Sequence, residues 1–151
     1  SVAFYKCINL KTIEIPNSVT SIDIDAFSSC TSLTTVKLSE NLTSIPDGLF
    51  YNCHALSSIN IPEGVTSIGI YAFYGCSSLE SIFLFFFIVN IGEYAFFYCD
   101  SLKHVYNYAP EPQNLSVIFK HRDVTVHVPA ASVEKYRQAE HWRDLTIVGM
   151  E

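Results

Sequence analysis

Apolar and polar positions alternate over short stretches of this chain, as in Ile13-Glu14-Ile15 and Val36-Lys37-Leu38, and each stretch returns after 23 residues. Such alternation predicts a half-buried strand, with β-branched side chains turned inward and polar ones outward. Pro16 and Pro62 close the strand, because proline has no N–H to give to a ladder. A second apolar pair follows in each unit: Val19 with Ile22, Leu42 with Ile45, Val65 with Ile68, and Ile88 with Ile91. These predict a second short strand or extended run. The remaining segment, A-F-x-x-C, is too short for a regular helix and predicts a 3₁₀ turn.

The same step governs other positions. Phe4, Phe27, Phe50, Phe73 and Phe96 lie three residues before Cys7, Cys30, Cys53, Cys76 and Cys99, and Leu10, Leu33, Leu56, Leu79 and Leu102 lie three after. Four units are complete, and a fifth breaks off after Val105. A fixed period of this length is the signature of stacked coils. One coil cannot hide both of its flanks, so stability must come from stacking and both ends need covers. The chain opens inside a repeat, at Val2-Ala3-Phe4. The expectation is therefore of a fragment, with more repeats or a cover upstream. An uncovered coil would show Leu10, Ile13 and Ile15 to water.

Residues 1–108 are expected to form the solenoid. The composition shifts at Ala109-Pro110-Glu111-Pro112, where two prolines end the pattern. Residues 109–151 are expected to form a C-terminal cap of strand, short helix and final strand, packed as one unit with the solenoid. Val124, Val126 and Val128 point inward in the first strand. Ser132 is positioned to cap a helix from Val133 to about Ala139. Trp142, Leu145, Ile147 and Val148 are expected to complete a lid with a polar outer face.

The units resemble the leucine-rich repeats of the BspA-like class, typical of bacterial surface proteins. The resemblance is carried by Ile61-Pro62-Glu63-Gly64-Val65-Thr66-Ser67-Ile68-Gly69 and by Ala72-Phe73-Tyr74-Gly75-Cys76-Ser77-Ser78-Leu79, and it covers about Ala3 to Val105. The tail resembles the C-terminal cap of such proteins through Val126 to Tyr136 and Trp142. The resemblance implies a β-rich α/β fold, a right-handed solenoid of about five 23-residue coils with a small α+β cap. It also implies a cell-surface or secreted module for adhesion or protein binding, which is analogy from fold and does not follow from spacing.

Composition narrows the remaining classes. Apolar residues make up 49% of the 151, which suits a stacked core. The net charge is −6 and no basic stripe exists, so a nucleic-acid partner is not expected. The longest apolar run, Ile82 to Val89, is too short to span a bilayer. No secretory leader is visible at Ser1. Five cysteines is an odd number and no C-x-x-C occurs, so buried thiols are expected in place of disulfides or a metal site. His54, His104, His121, His127 and His141 have no ligand partner at a recognised metal spacing. No nucleophile setting such as G-x-S-x-G is present. The reading is of no enzyme activity, no catalytic residues, no cofactor and no metal.

What chemistry remains is surface chemistry. Phe83-Leu84-Phe85-Phe86-Phe87 departs sharply from the repeat: Phe85 falls where Pro16 and Pro62 sit, and Phe87 where Ser18, Asn41 and Gly64 sit. An exposed aromatic cluster marks an interface. Tyr106 and Tyr108, one coil further, extend it, with Lys103 and His104 beside them on the outward strand face. Three readings stand open: a site for an extracellular protein or glycan, a self-association patch through Phe83–Phe87, or local repacking that buries the rings. A structural spacer or stalk in a longer surface protein is the alternative to a binding module.

Overall fold

The computed structural model describes residues 3–151. Ser1 and Val2, where the chain opens inside a repeat, lie outside the described residues. The alternating segments form the predicted parallel column. Strand β1 (Thr12–Glu14) pairs with β2 (Thr35–Lys37), placing Ile13 beside Val36. The second apolar pair gives another parallel column of β3 (Ser44–Ile45), β4 (Ser67–Ile68) and β6 (Asn90–Ile91). Further along, β5 (Ser81–Leu84), β7 (His104–Asn107), β8 (Thr125–Pro129) and β9 (Thr146–Met150) make one four-stranded parallel sheet in that order. Residues 57–61 carry no strand between β2 and β5, although Ile59 and Ile61 remain buried. Ser57, Ser58 and Asn60 supply little of the β-branched bulk that favours pairing.

Between the columns, each A-F-x-x-C corner is a tight turn. The amide of each cysteine donates to the phenylalanine carbonyl three residues back, at 3.0–3.4 Å. The residue before every cysteine lies in the left-handed region: Lys6, Ser29, Asn52, Gly75 and Tyr98. So does the residue two before the phenylalanine in four coils, at Asp25, Gly48, Tyr71 and Tyr94. Non-glycine residues pay roughly 1 kcal/mol there, which the stacking of neighbouring coils offsets.

The core is a set of like side chains in file. Phe4, Phe27, Phe50, Phe73, Phe96 and Phe119 stack ring on ring, with successive centroids 5.1, 5.8, 5.5, 5.3 and 5.9 Å apart. The cysteines form a parallel file and all five are free thiols. From the second onward, each Sγ–H donates to a phenylalanine carbonyl of the preceding coil: Cys30 to Phe4, Cys53 to Phe27, Cys76 to Phe50 and Cys99 to Phe73, at 3.1–3.2 Å. Burial pushes the Cys53 and Cys99 thiols up to about 12 and raises Cys30 and Cys76 as well. Because the thiolate is the reactive form, Cys53, Cys76 and Cys99 are expected to alkylate in the native protein roughly a hundredfold or more slowly than in denaturant. Mass-spectrometric counting of labels with time checks this; fast native labelling of Cys53 or Cys76 would contradict the file.

The C-terminal end tightens the period. Phe119 stands 23 residues after Phe96, yet Val105 pairs with Val126 and Val126 with Ile147, a step of 21. Val124, Val126 and Val128 are buried as expected. A 3₁₀ turn (Ala130–Ser132) leads into helix α1 (Val133–Gln138). Ser132 does not cap this helix. Its hydroxyl donates instead to the Pro110 carbonyl at 2.8 Å, because the residue is buried and helical in backbone. Tyr136 and Trp142 are fully buried and anchor the segment that follows β7: the Tyr136 hydroxyl donates to Ala109 O and the Trp142 indole N–H to Gln113 O, each at 2.9 Å. Inside, the Asn107 amide donates to Gln113 Oε1 at 2.9 Å and the Gln113 amide to Ile88 O at 2.8 Å. Val148 is not part of the lid interior. It is 40% exposed, since pairing with His127 sets it on the outward face of β9. At the other end Leu10, Ile13 and Ile15 are only partly buried and Phe4 is 37% exposed.

Candidate functional site

Strand pairing carries the outward side chains into rows as strictly as it carries the inward ones. One row runs Glu14, Lys37, Asn60, Phe83, Tyr106, His127 and Val148, joined by strand pairing except at Asn60, which is placed by the 23-residue step alone. Its first two members form an exposed ion pair, with Lys37 Nζ donating to Glu14 Oε1 at 2.7 Å. Its aromatic part is a stack: Phe83 on Tyr106 with centroids 4.6 Å apart, and Tyr106 on His127 at 4.4 Å, the planes within 12°. Beside it, Phe85 lies half-buried and stacks on Tyr108 at 5.9 Å. Lys103 pairs with Asp123 on the same face. His104 and His127 share a ring-to-ring hydrogen bond, Nδ1 to Nε2 at 3.1 Å.

Phe86 and Phe87 stand apart from this face. They lie in the turn after β5, 57% and 58% exposed, edge to face with centroids 5.4 Å apart. They border a hollow of about 370 Å³ shared with Pro110, Glu111 and Pro112. Local repacking that buries the rings is therefore overturned. Leu84 and Ile88, both fully buried, take the inward places on either side of the turn, and Phe86 and Phe87 are left outside. The strand face thus gathers Phe83, Phe85, Lys103, His104, Tyr106 and Tyr108, while Phe86 and Phe87 make an adjoining knob.

A second hollow, of about 330 Å³, opens in front of Phe83 and Phe85 and is bordered by Glu40, Asn60, Pro62 and Glu63. Among the described residues no group of three or more His, Cys, Asp or Glu side chains is placed to hold a metal ion. No described helix is long and apolar enough to cross a membrane.

The His104–His127 contact has a measurable consequence. Burial, and then the charge of His104, hold His127 below its ordinary value of 6.5. The folded state therefore favours neutral His127. Its contribution to stability is intact above about pH 6.5 and is lost as the pH falls from there through the lower folded value. An NMR titration should give His127 a midpoint below that of a free histidine, and His104→Gln should raise it. A midpoint unmoved by that substitution would remove the coupling.

Two features escaped the sequence reading. His127 joins the aromatic row only because the step shortens to 21; the alternation of Val124, Val126 and Val128 does carry the signal that it points outward. The other is a ridge on the corner face. Tyr51, Tyr74 and Phe97 stack at 4.8 and 6.2 Å, Tyr71 stacks on Tyr94 at 5.4 Å, and edge contacts such as Tyr71–Tyr74 at 5.5 Å knit the two files. Lys120 sits over the Tyr98 ring at 4.3 Å. The signal was present: aromatic residues recur directly after the core phenylalanine and two places before it.

A family model of the BspA type leucine rich repeat region matches residues 1–118, in six copies. The chain belongs to the BspA-type leucine-rich repeat family. Six copies is one more than the coils read from the cysteines. Just beyond the matched residues Phe119 still continues the ring file, with no cysteine three residues after it. Among solved structures, a leucine-rich repeat protein from Bacteroides ovatus is similar at 29% identity and a TM-score of 0.73, over 85% of this chain and 34% of that one. The T. pallidum leucine rich repeat protein is similar at 27% identity and a TM-score of 0.78, over 99% of this chain and 77% of that one. The pneumococcal vaccine antigen PcpA, at 16% identity and a TM-score of 0.72 over 93% of this chain and 42% of that one, shares the fold. The chain thus spans about a third of the length of its Bacteroides ovatus relative. Among curated proteins, none matches. BspA-type repeats are repeat modules of a generally non-enzymatic kind.

Proposed function

We propose that this chain is a non-enzymatic binding or adhesion module, displayed at a cell surface or secreted, that meets an extracellular protein or glycan through its strand face and aromatic knob. The observation that carries the reading is the exposure of Phe86 and Phe87 beside the stacked Phe83, Phe85, Tyr106 and Tyr108. Burying large rings costs nothing in a core that has room, so rings left in water at a fixed place favour a partner that covers them. Phe83 and Phe85 are held by stacking on Tyr106 and Tyr108 of the next coil, so little side-chain entropy is lost when they are covered. Membership of the BspA-type family, whose class is typical of bacterial surface proteins, supports a surface or secreted location.

The test substitutes Phe86→Ser together with Phe87→Ser. Binding of the purified protein to immobilised extracellular-matrix proteins and mucin glycans is then compared with the parent chain. The expected result is a loss of roughly tenfold or more in affinity, as for a truncated anchor residue, with an unchanged urea midpoint. Unchanged binding favours the structural spacer. A change in sedimentation without a change in binding favours self-association through Phe83–Phe87.

A further inference from the structure

The hollow in front of Phe83 and Phe85 has a chemistry that narrows the partner. Tyr106 covers one face of Phe83 and Tyr108 one face of Phe85. One coil earlier the equivalent positions are Asn60 and Pro62, neither of them aromatic. The opposite ring faces are therefore left without a stacking partner, and they open onto about 330 Å³ of space. The exposed carboxylates of Glu40 and Glu63 border the same space. Among the described residues, neither takes part in an ion pair. Lys37, three residues before Glu40, is hydrogen-bonded to Glu14, and the charge of Glu40 acts on it only weakly, behind that pair.

We propose that this hollow receives a cationic side chain, arginine above all, from a protein partner. The proposal rests on the reading of the strand face as a contact surface and names the chemistry that face would select. A guanidinium lies flat on an aromatic face and is attracted by its ring electrons. It carries five N–H donors and no acceptor, and the carboxylates of Glu40 and Glu63 are acceptors without donors. A sugar presents donors and acceptors in equal measure, and its oxygens would find one side-chain amide, that of Asn60. The net charge of −6 adds attraction for a basic partner at longer range.

The test titrates the full ¹⁵N-labelled chain with a tetra-arginine peptide and, separately, with a tetra-citrulline peptide of the same shape and no charge. Tetra-arginine is expected to move the amides around Asn60–Glu63 and Phe83–Phe85. Tetra-citrulline should bind roughly tenfold more weakly, as should tetra-arginine to the chain carrying Glu40→Gln and Glu63→Gln. Both substitutions are at exposed positions, so the fold survives them. Equal binding of the two peptides overturns the proposal. So does no effect of the glutamine variants, or shifts spread over the whole acidic surface. A neutral chito-oligosaccharide that moves these amides more than tetra-arginine does would assign the hollow to a glycan instead. Phe86 and Phe87 lie outside this hollow. Their substitution therefore reports on the contact surface, and the glutamine pair reports on the cation site, so one can fail while the other stands.

Discussion

A chain ended after Tyr108 is expected to aggregate and to lose the cooperative urea transition of the full-length protein. β7 would be left without β8, presenting a parallel edge and a bare flank in one step. Phe96, Leu102 and Val105, all buried in the intact chain, would face water. Asn107 would lose its hydrogen bonds to Gln113 inside what had been the core. Trp142→Ala is the point-mutant version: a fully buried indole that packs on Tyr136 at 5.3 Å and donates to Gln113 O is removed. Its expected cost is about 3–5 kcal/mol. Light scattering and urea titration followed by circular dichroism check both. A truncated chain that stays monodisperse and melts sharply would show that residues 109–151 are not a required cover.

Phe73→Ala is expected to destabilise by about 3–5 kcal/mol, near the limit of what a domain of this size tolerates. Phe73 is fully buried and touches a ring on each side, Phe50 at 5.5 Å and Phe96 at 5.3 Å. The cavity would open between the coils of Phe50 and Phe96, and each would lose one of its two ring neighbours. Phe4→Ala is the internal control. Phe4 has one ring neighbour and is 37% exposed, so its loss should cost well under half as much. Equal costs at the two sites would mean that the ring file does not carry the stack.

Most of the solenoid was legible because one constraint repeats. A side chain that must sit above its counterpart leaves the same residue type at every return, and Phe, Cys and Leu mark three such places per coil. The strands followed from alternation at Ile13-Glu14-Ile15 and its successors. Legibility failed where the repetition failed. The sixth corner was hidden because Phe119 keeps the 23-residue step while Arg122 stands where its cysteine would fall. Ser132 has the residue type of a helix cap, but the Pro110 carbonyl claimed its hydroxyl. Of the candidate surface, the departure of Phe83–Phe87 from the repeat was visible. That Phe86 and Phe87 would be exposed was not, because sequence counts the rings and does not measure the room. Tyr71 and Tyr94 were overlooked because a left-handed backbone position is not where an aromatic residue is sought.

The file of rings closes on a different geometry. Trp142 meets Phe119 edge-on, at 6.5 Å and 67°, whereas Phe96 and Phe119 lie face to face. A further coil laid here would find no flat ring to rest on. Growth of the array from this end, whether by gene duplication or by one molecule docking head-to-tail on another, would first have to displace the indole.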